Sequence, residues 1–418
     1  MTADSQRAEA QRRSVVGVEN TQWKELYSEV VQTGLCTGCA ACVMACPRDV
    51  LGYDHANSYQ PFNIEPTTIA ADCVHGERGC DICTRACPRF RDWELDADNA
   101  LFGRARRPDE PIGIYRNLLL VRATEDAVHD AGQDGGLVSA LLIWALESGR
   151  IDGALVSDFA EDRPLDAVPA VVTDRAGVLR TAGSRYTYSA NPLAMREAEQ
   201  RKLKALALVG MSCQASINGT VQSRNIAKYN RKIAVTIGLL CSKTFTYDGM
   251  YVQKLAQEHF IPLESINKVN IKGKFIVWHG EDNARVDIPL KECHAHTRPG
   301  CTTCPDFAAQ HADISTGGLG QGDGWTLTIV RTQRGVDWIE AALAAGVIEA
   351  RSAEEDPAAV NLMNKLAVQS RKRWPAARLG MDAGEAAPGV AVLPPPLPIP
   401  PQAPQTAVNA GPKPLPNV

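Results

Sequence analysis

The stretch CTGCAACVMACP, residues 36–47, sets Cys36, Cys39, Cys42 and Cys46 in a C-x2-C-x2-C-x3-C-P run. Three thiolates at three-residue intervals can wrap one face of an iron–sulfur cubane, and a fourth followed by proline is directed at a neighbouring cluster. A second run, CVHGERGCDICTRACP over residues 73–88, spaces Cys73, Cys80, Cys83 and Cys87 as C-x6-C-x2-C-x3-C and ends on Pro88. Together the runs predict an α+β, ferredoxin-like two-cluster module with crossed ligation. Cys36, Cys39, Cys42 and Cys87 hold one 4Fe–4S cluster, and Cys46, Cys73, Cys80 and Cys83 hold the other. Structural zinc also uses C-x-x-C pairs. It seldom takes three evenly spaced cysteines and then Cys-Pro, and here that pattern occurs twice. The six residues after Cys73 depart from the symmetrical run and predict a small loop.

Outward from these runs, the chain is ordinary in bulk. Its 418 residues allow two or three domains, and 44% hydrophobic with 22% charged residues is a globular composition. A formal net charge of −4 gives no basic footprint for nucleic acid. The longest apolar run, GLVSALLIWAL, is too short to span a bilayer. The first residues carry no hydrophobic signal core, so a cytoplasmic location is expected. Thirteen cysteines in that setting point to metal or redox chemistry rather than disulfides.

The pattern divides the chain into a polar disordered arm (1–20), the two-cluster module (21–100), an α/β domain (101–346), a helical extension (347–384) and a disordered proline-rich tail (385–418). Within the α/β domain RNLLLVRA, GALVSDF, AVPAVVTD, ALALVG and KIAVTIGLLC read as strands. GGLVSALLIWALESG, YDGMYVQKLAQEHF and GVDWIEAALAAG read as helices, and the alternation predicts a mostly parallel or mixed sheet.

A late pair, Cys301 and Cys304 in RPGCTTCPDFAAQHADISTGGLG, leaves three readings open: a redox couple, a zinc half-site, or ligands of a further cluster. Cys213 and Cys241 each follow a buried strand, where ligands gather at a sheet edge. Cys293, in KECHAHTRPG, reads as an ordinary loop cysteine despite His294 and His296 beside it.

GQDGGLVSALLIWALESGRIDGALV, AGSRYTYS, VGMSCQ, IGLLCSKTFTYDGM and RPGCTTCPDFAAQHADISTGGLGQGDGWT, in this order behind a two-cluster module, resemble the family of coenzyme F420 hydrogenase and dehydrogenase beta subunits. The resemblance implies an FAD-binding α/β domain and a third 4Fe–4S cluster on Cys213, Cys241, Cys301 and Cys304. It also makes coenzyme F420 the expected substrate, since a flavin can join a hydride donor to one-electron clusters. The flavin contacts it suggests are Asp134, Gly135 and Gly136 at a helix start, Ser184, Arg185 and Tyr186 in one loop, and Gly317, Gly318 and Gly320 in another. Arg185 and Lys243 are candidates for the ligands' anionic groups. The family's first loop is usually Gly-Thr-Pro-Cys-Gln, whereas this chain has Gly210-Met211-Ser212-Cys213-Gln214, which keeps the cysteine and loses the proline.

The expected function is a flavin- and iron–sulfur-dependent oxidoreductase that exchanges electrons with a redox partner subunit or a ferredoxin. A ferredoxin-dependent reductase of an organic substrate, like divinyl chlorophyllide reductase, is the alternative on the same fold. A non-enzymatic electron-transfer subunit is the alternative from another class, and the glycine-rich loops argue against it.

Overall fold

The computed structural model describes residues 21–65, 71–91, 93–319 and 324–373. The expected N-terminal arm, the proline-rich tail and Gly320 lie outside the described residues. Helix α1 (Trp23–Leu26) is capped by a reciprocal Gln22–Glu25 box and continues as a wider π turn over Tyr27–Val31. Trp23, Leu26 and Val30 are buried against the cysteine runs.

The two cysteine runs fold alike. In each, a short helix, α2 (Ala41–Ala45) or α3 (Ile82–Ala86), carries the third cysteine, Cys42 or Cys83. Each helix ends on the pre-proline cysteine, Cys46 or Cys87, whose extended backbone is the conformation that a following proline imposes. Strands β1 (Leu51–Tyr53) and β2 (Pro61–Asn63) form an antiparallel hairpin between the runs.

An eight-stranded mixed sheet follows. Its strands are β3 (Asn117–Ala123), β4 (Gly153–Phe159), β5 (Ala167–Val172), β6 (Leu206–Met211), β7 (Ile233–Leu239), β11 (Ile314–Gly317), β12 (Thr326–Val330) and β13 (Ile348–Ser352). They lie in the order β13-β3-β12-β11-β7-β6-β4-β5. The central block β11-β7-β6-β4 is parallel and the flanking pairs are antiparallel. All the strands expected from apolar runs are present.

Central strands are buried on both faces, so they read as near-continuous apolar runs. Alternate residues of β6 serve opposite layers. Ala207 and Val209 face a core built on α5 (Leu137–Glu147) and α7 (Gln333–Ala344), where Trp144 meets Trp338 edge to face at 5.7 Å. Leu206 and Leu208 face a second core with α6 (Ser212–Ser223) and the two-cluster module. Helix α4 (Trp93–Phe102) packs on α6, and α8 (Pro357–Arg371) covers β3 and β12 on that same side.

Two boundaries differ from expectation. Strand β13 pairs with β3, so the sheet continues past residue 346 into the segment expected to be a helical extension. Helix α4 belongs by its packing to the sheet domain rather than to the two-cluster module. A three-stranded antiparallel sheet, β8 (Ile266–Ile271), β9 (Lys274–His279) and β10 (Ala284–Pro289), was not anticipated. Charged residues on its open face break up the apolar alternation. The expected helix at 247–260 is present over Tyr247–Glu258 but winds as a π-helix. Among the described residues no helix is long and apolar enough to cross a membrane.

Candidate functional site

All thirteen cysteines are free thiols, and twelve of them fall into three neighbourhoods. Burial is the first cause for the thiols that are raised, and in several the next is charge on the other thiols of the same set. Burial and then Cys39 push Cys36 up to about 12. Burial and then Cys87 push Cys39 up to about 12. Cys42 stands well above the usual thiol range through burial, then Cys87, Cys36 and Cys39. In the second set, burial and then Cys80, Cys46 and Cys73 raise Cys83. These four line one small cavity with Trp23, Val50 and Leu51. In the third, burial and then Cys301, Cys213 and Cys304 raise Cys241. Cys87 neighbours the thiols of the first run, and Cys46 shares a cavity with those of the second. Among the described residues no three or more Cys, His, Asp or Glu side chains form a group that could hold a metal ion.

The three sets lie in a row. Cys83 acts on Cys42, which joins the second set to the first. Cys39 acts on Cys213, which joins the first to the third. Cys39, Cys213 and Tyr188 share one core cluster. The Tyr188 and Tyr53 hydroxyls both donate to the Gly38 carbonyl at 2.8 Å, fixing the Cys36–Cys39 loop, and Tyr188 Oη also lies 3.6 Å from Cys213 Sγ. Gly38 has φ +67°, a left-handed conformation that favours glycine.

Backbone and side-chain donors reach the sulfurs. Gly38 N–H donates to Cys36 Sγ at 3.4 Å and Arg89 N–H to Cys87 Sγ at 3.4 Å. Thr244 N–H donates to Cys301 Sγ at 3.4 Å, and Arg89 Nη2 to Cys304 Sγ at 3.7 Å. Burial alone would raise Cys301, but the Arg298 guanidinium and the Thr244 bonds outweigh it and hold the thiol below its ordinary value. Arg298 is 1% exposed and stacks on Tyr188, 3.7 Å from the ring centroid. The largest charges acting on it belong to Cys301, Tyr188, Tyr53 and Cys213, with no carboxylate among them. A buried cation needs anionic company. Metal-bound thiolates supply it and neutral thiols do not, so this residue fits anionic clusters in the flanking sets.

Strand ends explain the third set. Cys213 stands in the first turn of α6, directly after β6, and Cys241 two residues after β7. Both therefore leave the carboxyl ends of parallel strands. Ser212 replaces the family proline with hydrogen bonds: its Oγ donates to the Phe307 carbonyl at 3.0 Å and accepts from Ala309 N–H at 3.2 Å. That ties the Cys213 loop to the chain just after Cys304.

The glycine loops reach the same edge. Leu240 N–H donates to Thr316 O at 2.9 Å, and the Leu240 side chain packs where a Cβ on Gly317 would stand. Lys272, at the β8–β9 turn, bridges Asp134 at 3.1 Å and donates to the Gly318 carbonyl at 3.2 Å. Gly135 N–H donates to Thr326 Oγ1 at 2.9 Å, and Gly136 caps α5 at φ +71°. Ser184 N–H donates to Gln133 Oε1 at 3.3 Å, and Tyr186 Oη to Asn270 Oδ1 at 3.3 Å. Asp134, Gly135, Gly136, Ser184, Tyr186 and Gly318 are thus brought together, with Gly317 beside them.

The two expected cations sit elsewhere. Arg185 turns to the end of β4, over the Phe159 ring at 4.4 Å, with Asp158 3.8 Å away. Its side chain is 7% exposed, and its Nε and Nη2 have no hydrogen-bond partner among the described residues. Burial, only partly offset by Asp158, lowers it to about 10. Lys243 lies by the third thiol set, lowered by burial and then by Arg373. Cys293 is fully buried in the core under β8–β10, as an ordinary structural cysteine. Sequence reasoning missed Lys272, Arg298 and Arg89. Each acts across a distance in sequence that no local motif marks.

Family models match in three places. Residues 118–196 match the N-terminal part, and 203–356 the C-terminal part, of the coenzyme F420 hydrogenase/dehydrogenase beta subunit. Residues 29–51 match a 4Fe–4S binding domain. The chain is 33% identical over 272 residues to the beta subunit of coenzyme F420 hydrogenase of Methanococcus voltae, covering 63% of this chain and 94% of that protein. It is 31% identical over 330 residues to the coenzyme F420-dependent sulfite reductase of Methanocaldococcus jannaschii, covering 75% of this chain and 46% of that protein. A chain of the F420-reducing NiFe hydrogenase complex from Methanosarcina barkeri superposes with a TM-score of 0.59 at 32% identity, over 64% of this chain and 92% of that one. With both halves of its sheet domain matched, this chain belongs to the family of coenzyme F420 hydrogenase/dehydrogenase beta subunits.

Proposed function

We propose that this oxidoreductase passes electrons between coenzyme F420 and a protein partner, using FAD and three 4Fe–4S clusters. The observation that carries the reading is the row of three thiol sets whose last member shares a sheet edge with the glycine loops. Cys46, Cys73, Cys80 and Cys83 hold the outer cluster, Cys36, Cys39, Cys42 and Cys87 the middle one, and Cys213, Cys241, Cys301 and Cys304 the inner one.

Asp134–Gly136, Ser184, Tyr186 and Gly317–Leu319 form the flavin cradle, with Lys272 closing it. The fit rests on the close approach of backbone at Gly318, where a Cβ would collide with the Asp134 carboxylate, so this backbone stays bare. Bound FAD supplies the exchange between a two-electron hydride donor and one-electron clusters. The residues around it bind and orient it, while donors on the sulfurs and the buried arginines hold the clusters' charge. The relatives' names supply F420 as the hydride carrier, and the hydrogenase complex supplies the expectation of a partner subunit.

Anaerobic purification should give about twelve irons per chain and bound flavin. Reduced F420 should bleach the flavin, and a one-electron dye should then accept electrons. If reduced ferredoxin bleaches the flavin while F420 and nicotinamides do not, the proposal fails in favour of an organic-substrate reductase.

A further inference from the structure

Two arginines are buried between the first and third thiol sets. Arg298 is 1% and Arg89 2% exposed. The Nη1 atom of Arg298 stands 2.7 Å from where a Cβ on Gly38 would lie and 3.0 Å from one on Gly300. It is therefore wedged between the Cys36–Cys39 loop and the Cys301 loop. Its charge acts on Cys36 and Cys39 of one set and on Cys213, Cys241 and Cys301 of the other. Arg89 sits over the Trp93 ring at 4.6 Å and donates to Cys304 Sγ at 3.7 Å. Its charge acts on Cys36, Cys39 and Cys87 as well as on Cys304. The second thiol set differs: the arginine that lines its cavity, Arg48, is exposed rather than buried.

We propose that Arg298 and Arg89 form a cationic partition shared by the middle and inner clusters, raising the reduction potentials of both. The inference rests on the reading that Cys213, Cys241, Cys301 and Cys304 hold a cluster. Reducing a cluster adds one negative charge in a low-dielectric interior, where a fixed cation nearby has its greatest effect. A cation lying between two such clusters stabilises the reduced form of each. The outer cluster, without it, keeps a lower potential. An electron entering at the flavin end is then held on the inner and middle pair, where two can be stored before a partner removes them.

The test is a potentiometric titration of the anaerobically purified full chain, followed by EPR, on the native protein, Arg298→Gln, Arg89→Gln and the corresponding lysine variants. Each glutamine variant should lower the midpoints of the inner and middle clusters. The outer cluster should not move. Lysine should restore part of both shifts, which a packing role alone would not do. If a glutamine variant loses a cluster, its lysine counterpart should still assemble all three with near-native midpoints. Unmoved inner and middle midpoints in glutamine variants that retain three clusters overturn the inference. So do equal shifts in all three clusters, or lysine variants that restore nothing. A native protein with about eight irons and no inner-cluster signal overturns the underlying three-cluster reading, and with it the shared partition.

Discussion

Gly318 shows how much one position can decide. A methyl group there would push the Asp134 carboxylate aside and break its bridge to Lys272, opening the cradle where three loops meet. Gly318→Ala is expected to weaken FAD retention about tenfold, which corresponds to ~1.4 kcal/mol. Iron content should be unchanged, because no cluster cysteine touches this carboxylate in the ligand sets proposed. The flavin-to-iron ratio after gel filtration reads both at once, and proportional loss of the two would mean general misfolding instead. Ser212 makes a second case. The missing proline was visible in the sequence, but its replacement was not, since Phe307 and Ala309 lie about a hundred positions away. Ser212→Ala leaves a buried amide and a carbonyl without this partner and should cost about 1–3 kcal/mol. Faster loss of the inner cluster's signal on mild heating, with the other two retained, is the expected readout.

At the scale of elements, the parts legible in the sequence were apolar runs of five or more residues, at the sheet edge (β5) as well as in its centre. Strands β4, β6 and β7 and helix α5 are long apolar runs bounded by turns, and each lies where the pattern put it. Strands β8–β10 and β13 were not legible, because a half-exposed strand with charges on its open face resembles a loop, and the buried β11 and β12 escaped as short threonine-containing runs on either side of a glycine loop. The attachment of α8 was equally hidden, since it depends on a buried ion network. Arg371 grips Glu94 with two bonds, at 2.7 and 2.9 Å, and Arg106 grips Asp98 with two more at 2.7 Å. Burial pushes the Glu94 carboxyl up, but Arg371 and Arg106 outweigh it and bring it to about 2. An unfolded glutamate titrates near ~4.3. The stabilisation is therefore complete above that value and is lost as pH falls through the folded value near 2. Hydrogen exchange of α8 should accelerate between those limits ahead of α5, whose buried face carries no carboxylate. Glu94→Gln should show the fast exchange already at neutral pH. The contact of α4 with α6 is tighter still: a Cβ on Gly219 would stand 2.6 Å from the Ala97 methyl. Gly219→Val should separate the helices at a cost of about 1–3 kcal/mol, read as a lower Tm.

For the whole molecule, the order of the clusters is the property that function depends on. The sequence marks eight cysteines as two runs, and ferredoxin spacing already implies that each run lends one ligand to the other's cluster. It does not say which cluster faces the sheet domain. The structure puts the first set there, through Cys39 beside Cys213 and the two phenols on Gly38, while the second set lines a cavity with Trp23. Consequences follow for two serine variants of pre-proline cysteines. Cys87→Ser should abolish the middle cluster although Cys87 belongs to the second run. Cys46→Ser should abolish the outer cluster although Cys46 belongs to the first. Both variants should let reduced F420 bleach the flavin, because hydride transfer needs only the donor and the flavin held within reach. They should differ beyond that step. Without the middle cluster the inner one is cut off from the outer, so the outer cluster's EPR signal should not appear on the turnover timescale after F420 reduction. Without the outer cluster, the inner and middle signals should both appear, and only delivery to a partner at the far end should slow. Rapid-freeze EPR of the two variants separates the cases. An outer signal at native speed in Cys87→Ser would show that electrons reach the outer cluster by a path that avoids the middle set.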